Sequence, residues 1–284
     1  MSVRIISTSY IFESVYDDYK DIKFYNEFRK VNKVERILRK VWRFIFSDNL
    51  WYDEWKQDIE DNDLVIVHAS KNSNRIINYI RKKNKQVRII HWFWNTVNTI
   101  KNIDLHNTNC ELWSFDPIDC QNYNMKFNTT HYFSSLRIKE KKIVYDVFFI
   151  GYDKGRKESL DKLQKDFISK GITSKLLVFS EKPRKNIPYT EVLGYIAESK
   201  AILDVVMKGQ HGLSLRTMES IFFKKKLITN FEKIQDEDFY HPNNIFIIGK
   251  DTKLLEFLNS PYVQIDPEIL SKYEILNWAK RFKT

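Results

Sequence analysis

Runs of apolar residues alternate along this chain with amphipathic segments of helical length. Residues 3–6 are predicted to form a first strand, and the apolar run at residues 63–68 is typical of a strand buried on both faces of a parallel sheet. Further strands are predicted at residues 87–92 and 110–115, and a helix at 70–82 lies among them. This alternation predicts a doubly wound α/β sheet in the N-terminal half of the chain.

Two more helices are predicted before the second strand, at residues 19–29 and 31–46. Residues 29–46 combine many Lys and Arg side chains with an apolar stripe, so they form an amphipathic pattern with a basic polar face. A helix of this kind can lie on an anionic membrane surface. The alternative is a solvated helix whose apolar stripe packs on its own domain.

The C-terminal half repeats the alternation of strands and helices. We predict strands at residues 145–151, 176–179, 201–206, 227–229 and 245–249, helices at 157–170, 191–199 and 215–224, and a closing helix at 267–282. The polar segment 136–142, LRIKEKK, contains neither Pro nor Gly and is a candidate hinge. At 284 residues the chain is long enough for two domains. We place the boundary at residue 140, with domains at 1–140 and 141–265 and the closing helix at 266–284.

The segment after the apolar run 201–206 carries the strongest chemical signal. Gly212 allows close approach of a ligand, and Ser214 is a predicted N-cap for the helix that follows. The N-terminus of a helix attracts anions, and Arg216 lies in the first turn, where a bound anion would explain a cation. Glu219 follows on the same face and could accept hydrogen bonds from a ribose diol. The alternative is that Arg216 and Glu219 form a surface ion pair.

A second glycine follows the strand predicted at residues 145–151. Gly151 ends this strand, and Arg156 comes just before the next helix. We therefore expect the glycine backbone and the arginine side chain at the same edge of the sheet. Arg156 could equally be a surface residue of that helix. The sequence leaves these alternatives open.

The string GLSLRTME at residues 212–219, followed by an apolar helix and KKLIT, resembles the donor-site signature of GT-B glycosyltransferases. It is most similar to the bacterial capsule and lipopolysaccharide enzymes with Arg-x-x-Glu in that helix. The resemblance implies an α/β fold with two doubly wound Rossmann-like domains facing a cleft and a C-terminal helix that returns to the N-terminal domain. Residues 1–140 would then be the acceptor side and residues 141–265 the nucleotide-sugar side.

The resemblance also implies roles for individual residues. Arg216 and the helix start would hold a nucleoside diphosphate, and Glu219 would hold the ribose. The loop at residues 180–189 would hold the nucleobase. The other expected donor-site residues are Gly151, Arg156, Gln210, Gly212, Leu213 and Ser214. Retaining relatives often have a second Glu eight residues before the first, whereas this chain has His211, so the anomeric outcome stays open.

Candidates for a catalytic base lie at predicted strand ends in the N-terminal half. His68 and His91 end two strands, and Asp116 follows a third. A positioned base that deprotonates an acceptor hydroxyl contributes about 10²- to 10⁴-fold to a rate. His211 is a fourth catalytic candidate because of its place beside the donor motif. For a lone histidine at a strand end, the alternative is a hydrogen-bonded structural role.

Composition and charge narrow the function classes. No apolar run of transmembrane length and no signal peptide is evident, so we expect a cytoplasmic protein. Its amphipathic segment 29–46 could bind peripherally to the inner face of the plasma membrane. The formal net charge of +10 suits a nucleic acid, an anionic membrane or an acidic metabolite. Because the basic residues concentrate in one segment, no nucleic-acid partner is expected.

The sequence contains no P-loop, no Cys/His metal motif and no Asp-x-Asp pair at a strand end. We therefore expect a metal-independent hexosyltransferase without a cofactor. It would use a nucleoside diphosphate sugar, with UDP-sugars favoured, and a lipid-linked surface glycan as acceptor. The alternatives are a non-catalytic sugar-nucleotide or membrane-surface module and a basic nucleic-acid-binding protein.

Overall fold

A computed structural model of the protein describes residues 2–8, 12–32, 34–35, 37–38, 48–60, 63–100, 103–180 and 187–283. They form two compact units. The first unit comprises Met1–Asn128 together with Ala279–Thr284, and the second comprises Thr129–Trp278. The chain thus passes between the units at residue 128, and the predicted hinge at 136–142 lies inside the second unit.

The first unit contains a six-stranded parallel sheet of order β2-β1-β3-β4-β5-β6. Its strands are β1 (Val3–Ser7), β2 (Ile22–Asn26), β3 (Leu64–His68), β4 (Arg88–Phe93), β5 (Glu111–Ser114) and β6 (Lys126–Phe127). The helices are α1 (Trp55–Asp58), α2 (Ser73–Lys83) and α3 (Pro117–Tyr123), with short 3₁₀ helices at Glu13–Asp18, Asp48–Trp51 and Val97–Thr99. β3 is buried over its first four residues, as its apolar run predicted.

The predicted helix at residues 19–29 is wrong, because this segment contains the edge strand β2. Its residues pair in parallel with β1, from Val3 opposite Ile22 to Ser7 opposite Asn26. β1 would otherwise expose its backbone groups at the sheet edge, and β-branched and aromatic side chains favour a strand. Long-range pairing therefore decided the structure of a segment whose local pattern was ambiguous.

Only part of the basic segment 29–46 belongs to the described residues. Residues 34–35 and 37–38 are helical, and residues 33, 36 and 39–47 lie outside the description. Val34, Ile37 and Leu38 are 66%, 64% and 53% exposed. These three side chains are spaced for one helix face, and that face is open to solvent.

The second unit contains a five-stranded parallel sheet of order β11-β10-β9-β7-β8. Its strands are β7 (Tyr145–Tyr152), β8 (Ser174–Phe179), β9 (Ser199–Asp204), β10 (Lys226–Thr229) and β11 (Ile245–Ile247). Its helices are α4 (Lys157–Ser169), α5 (Tyr189–Ala197), α6 (Leu215–Phe223), α7 (Leu254–Asn259), α8 (Pro267–Ser271) and α9 (Ile275–Lys280), with a 3₁₀ helix at Glu232–Asp236. The apolar core lies between this sheet and its helices.

The closing helix predicted at residues 267–282 is interrupted. Between α8 and α9 the backbone pairs with Tyr132, whose N–H donates to Tyr273 (2.8 Å) and whose carbonyl accepts from Ile275 (2.9 Å). After α9, a 3₁₀ turn at Arg281–Lys283 belongs to the first unit, where Phe282 packs edge-on against Trp92 and Trp113. The chain therefore ends on the N-terminal unit, as the fold class predicted.

Both sheets have the doubly wound strand order in which the first strand lies between the second and the third. The predicted fold class, α/β with two Rossmann-like domains, is confirmed. In such sheets, ligands bind beyond the carboxyl ends of the strands where the winding reverses. These switch points lie between β1 and β3 in the first unit and between β7 and β9 in the second. Among the described residues, no helix combines the length and apolar composition that crossing a membrane requires.

Candidate functional site

The switch point of the second unit is built around Gly151. A Cβ atom added at this glycine would come within 2.5 Å of Arg216 Nη2 and 2.9 Å of Arg156 Nη2. The absence of a side chain thus makes room for two guanidinium groups above the end of β7. The structure brings together three residues that the sequence assigned to the donor site from two separate motifs.

Both arginines lie across the same aromatic ring and bond to strand ends. The guanidinium carbons of Arg216 and Arg156 are 4.8 Å and 5.1 Å from the ring centroid of Phe149. Arg216 donates to the carbonyl of Ile150, and Arg156 donates to the carbonyls of Tyr152 (3.0 and 3.2 Å) and Val205. These bonds fix the two cations at the edge of the sheet. Neither arginine has the surface ion pair or free surface position that the sequence left open.

The cations at this edge repel one another. Burial and the neighbouring Arg216 charge lower the pKa of Arg156 to about 10. Burial, Arg156 and Arg216 also lower the pKa of Lys154, whose backbone is left-handed at φ 47°. We call Lys154, Arg156 and Arg216 the cation cluster. Because bringing like charges together is unfavourable, a bound anion would stabilise the cluster.

A buried carboxylate lies beside the cluster at the end of β9. Asp204 is 1% exposed, and its Oδ1 is 3.8 Å from Arg216 Nη1. Ser214 Oγ donates to Asp204 Oδ2 (2.6 Å) and accepts from Thr217 N (3.3 Å), so Ser214 is confirmed as the N-cap of α6. The start of α6 is thereby tied to the end of β9. Sequence reasoning did not single out Asp204, although an acid inside the apolar run 201–206 was the available signal.

Glu219 lies inside the second unit rather than on its surface. The residue is 4% exposed, and Tyr189 donates to its Oε1 at 2.8 Å. Tyr189 in turn shares a 2.6 Å hydrogen bond with Tyr132. Burial raises the pKa of Glu219 to about 7, against the opposing effects of Tyr189 and Arg216. The sequence did not predict these two hydrogen bonds, because the paired residues are 30 and 57 positions apart in the chain.

The remaining donor-site residues form the loop before α6. Gln210 donates to the carbonyl of Gly212 (3.2 Å), and His211 is half-buried. Leu213 is buried, and its carbonyl accepts a 2.6 Å hydrogen bond from Thr130. The C-terminal end of the loop is therefore held twice, by Thr130 and by the Ser214 cap. Most of the expected nucleobase loop, residues 181–186, lies outside the described residues.

The switch point of the first unit carries an imidazole among aromatic rings. Ser7 Oγ and His68 Nδ1 are 3.1 Å apart and share a hydrogen bond between the ends of β1 and β3. Trp94 meets the His68 ring edge-on at 5.8 Å, and Phe12 stacks on Trp94. Burial lowers the pKa of His68 to about 4. His68 is therefore a neutral imidazole at physiological pH, the form that accepts a proton.

Two other catalytic candidates have buried positions. His91 lies inside β4, is 0% exposed and donates from Nε2 to Ser73 Oγ (2.8 Å), which itself donates to a backbone carbonyl. Burial lowers the pKa of His91 to about 3. Asp116 is also 0% exposed and caps α3 by accepting from Ile118 N (2.9 Å) and Asp119 N (3.3 Å). These contacts account for both residues structurally, and His68 is the better placed candidate base.

No protein-family model and no curated protein matches the chain. A solved structure described as the lipopolysaccharide outer core galactosyltransferase WaaB is similar over 100% of this chain and 98% of that one, at 13% identity and a TM-score of 0.46. A structure described as a glycosylation-associated protein complex (Gap123) from Streptococcus agalactiae is similar over 87% of this chain. The alignment covers 55% of the chain in that complex, at 13% identity and a TM-score of 0.36. Similarity at this level does not decide the function, which we infer from the site.

Proposed function

We propose that the protein is a GT-B glycosyltransferase that transfers a hexosyl unit from a nucleoside diphosphate sugar to a hydroxyl of a lipid-linked surface glycan. The observation that carries this proposal is the cation cluster around Gly151 at the switch point of the second unit. Three cations, a helix start and a glycine without a side chain suit a diphosphate, because phosphates bind at helix N-termini and to arginine forks.

The cation cluster supplies positive charge where a departing diphosphate develops negative charge. Preorganised donors of this kind lower the barrier because they need no reorganisation during the reaction. The first turn of α6 adds its helix dipole. Arg216 and Arg156 thus take the part that a metal ion plays in other transferases, and we propose metal-independent leaving-group stabilisation. Glu219 accepts the ribose hydroxyls, and Gln210, His211, Gly212 and Leu213 lie on the sugar side.

The first unit is proposed to bind the acceptor. His68 is the proposed base, because it is neutral at physiological pH and its Nδ1 is held by Ser7. Trp94 beside it offers an aromatic face for a sugar ring. His91 and Asp116 stay predictions as catalytic residues, with less support because both are completely buried.

A place at the inner face of the plasma membrane is part of the proposal. It is supported by the exposed Val34, Ile37 and Leu38 in a segment rich in Lys and Arg. Apolar side chains next to cations suit an anionic lipid surface, where a lipid-linked acceptor would be found.

A thermal-shift screen tests the proposal. Purified protein is heated with UDP, GDP, CDP, ADP and their sugars, with Arg216→Ala as the comparison. A ligand at about 100 times its dissociation constant adds about 2.7 kcal/mol of stability. We expect a shift with one nucleotide, largest for UDP and its sugars, that Arg216→Ala reduces by half or more.

The outcomes separate the proposal from its rivals. A shift without sugar transfer to a lipid-linked glycan extract would identify a non-catalytic sugar-nucleotide module. No shift with any nucleotide would overturn the donor site, and salt-sensitive retention of single-stranded RNA or DNA would then identify a nucleic-acid-binding protein.

A further inference from the structure

A chain of two tyrosine hydroxyls ends on the carboxylate of Glu219. Tyr189, the first residue of α5, donates to Glu219 Oε1 at 2.8 Å. The single hydroxyl proton of Tyr189 is used in that bond. In the 2.6 Å hydrogen bond between the hydroxyls of Tyr132 and Tyr189, Tyr132 must therefore be the donor. Each hydroxyl therefore donates to the next group, from Tyr132 to Tyr189 and from Tyr189 to Glu219.

Tyr132, at the far end of this series of hydrogen bonds, is held firmly in place. Tyr132 is 0% exposed, and its backbone bonds on both sides to the segment between α8 and α9. Its ring also packs against Phe222 and Phe223, whose centroids are 5.1 and 5.6 Å away. Tyr132 thus has little freedom to move, and Tyr189 is held by a fixed donor.

Only one oxygen of the Glu219 carboxylate is used by the part of the chain that the structure describes. That oxygen is Oε1, which Tyr189 holds. A carboxylate accepts several hydrogen bonds, and leaving a buried one short of donors is costly. Oε2 therefore keeps its capacity for a donor from outside the protein, and two hydroxyls of a ribose are suitable donors.

The groups facing Glu219 oppose one another. Tyr189 and Arg216 favour its ionised form, whereas burial and Asp204 favour the protonated form, and burial has the largest effect. The pKa of the carboxyl, raised to about 7, therefore lies in the range of cytoplasmic pH. The Tyr132 and Tyr189 hydroxyls stay protonated, because burial raises their pKa values well above 10.

We propose that Tyr189, backed by Tyr132, is a positioning residue that holds Glu219 ionised with Oε2 directed to the nucleotide ribose, so that donor binding weakens as the pH falls through neutrality. This inference rests on the proposed function, because it takes the Glu219 site to hold a nucleotide. It adds a second layer of residues that no donor motif contains, together with a pH response of the site.

The test measures dissociation constants for UDP-glucose by calorimetry between about pH 5.5 and about pH 8.5. A nucleotide sugar is used because its diphosphate has no free terminal phosphate, whose pKa near 6 would add its own pH dependence. The variants are Tyr189→Phe, which loses only the hydroxyl, Tyr132→Phe, one bond further away, and Glu219→Gln, which cannot ionise. The matched control is Tyr195→Phe, because Tyr195 also lies on α5 and donates to an exposed carboxylate, Glu191 (2.7 Å).

We expect the wild-type dissociation constant to rise as the pH falls through about 7. A hydrogen bond to a charged group is worth about 1.5–3 kcal/mol, so Tyr189→Phe should weaken binding at pH 7 by about 10- to 100-fold and move the midpoint to higher pH. Tyr132→Phe should act in the same direction but less. Glu219→Gln should bind weakly at every pH, and Tyr195→Phe should match the wild type.

The possible failures are distinguishable. If the wild type binds neither UDP-glucose nor any nucleotide sugar of the thermal-shift screen, the proposed function falls and takes this inference with it. If the wild type binds and Tyr189→Phe only weakens binding without moving the midpoint, the hydroxyl has a structural role and the inference alone is wrong. Should Tyr189→Phe fail to fold, Tyr132→Phe replaces it in the test. An unchanged pH midpoint of UDP-glucose binding in Tyr132→Phe would then contradict the inference.

Discussion

The two switch points share a backbone plan and differ in charge. Each lies between the first and third strands of a parallel doubly wound sheet. In the second unit the strand ends present Gly151, Asp204 and the cation cluster, whereas in the first they present Ser7 and His68 among aromatic rings. Topology thus determined where a ligand can bind, and the side chains determined which chemistry each place supports.

Burial acts on both switch points by the same rule, with opposite consequences. It disfavours the charged form of every group, so the pKa of His68 falls to about 4 and that of Glu219 rises to about 7. His68 is thereby kept neutral at physiological pH, while Glu219 changes its charge near that pH. The proposed roles of the two units, proton acceptance in the first and diphosphate binding in the second, rest on this difference.

Replacing His68 is expected to have the largest effect. Loss of a general base lowers transfer by about 10²- to 10⁴-fold, because the acceptor hydroxyl then has no group to take its proton. Transfer of labelled sugar to a lipid-linked glycan extract is measured for His68→Ala, with the exposed His106→Ala as the control. UDP binding should be unchanged in both. Full transfer by His68→Ala would show that the first switch point does not supply the base.

Replacing Arg216 should affect binding rather than only the rate. Arg216→Ala removes a guanidinium from the cation cluster, and loss of its charge-assisted bonds should raise the dissociation constant for UDP by about 10- to 100-fold. Calorimetric titration measures this, with Arg137→Ala as the control because Arg137 is exposed and bonds to carbonyls outside the cluster. Equal UDP affinity in both variants would remove the cluster from the donor site.

Adding one methyl group at Gly151 tests the shape of the same cluster. The new Cβ would displace the ends of Arg216 and Arg156 from their hydrogen bonds, so stability should fall by about 1–3 kcal/mol and UDP binding should weaken by about 10-fold. Gly194→Ala is the matched control, since its Cβ would meet only Lys141 Nζ at 3.2 Å. Unchanged UDP binding by a folded Gly151→Ala protein would mean that the guanidinium positions are not critical.

The smallest expected effects are opposite slopes of stability with pH. The pKa of His91 is lowered to about 3, so the unfolded chain binds more protons and stability falls as the pH drops below about 6.5. The pKa of Glu219 is raised to about 7, so stability falls as the pH rises from about 4.5 to about 7. In urea unfolding, His91→Gln should lessen the loss on the acid side and Glu219→Gln the loss toward neutral pH, each by about 1–3 kcal/mol. Slopes identical to the wild type would mean that folding does not shift the pKa of either group.

Much of the fold could be predicted because the pattern of apolar runs is local. The strands around residues 63–68 and 145–151 were identified by their runs of apolar residues, and α6 by its Ser214 cap. The edge strand β2 and the break between α8 and α9 could not be predicted in this way. Both depend on backbone pairing with distant residues, β1 in one case and Tyr132 in the other.

The candidate site divides along the same line. Gly151, Arg156, Arg216 and Glu219 were identified from residue type and spacing, because a glycine after a strand and a charge at a helix start have local meaning. Lys154 and Asp204 were missed, and Tyr189 was expected only as the last residue of the nucleobase loop. Their importance comes from neighbours that the chain brings back from far away.

The sequence by itself determined two α/β units and the residue types at their strand ends, since apolar periodicity and glycine placement are properties of short segments. Only the tertiary structure decided that two motifs meet at Gly151, that Glu219 is buried behind Tyr189, and that His68 rather than His91 has a half-buried place at a strand end. The physical reason is that burial and the proximity of charges arise from packing between distant segments, and these two effects set the pKa values on which the proposed chemistry depends.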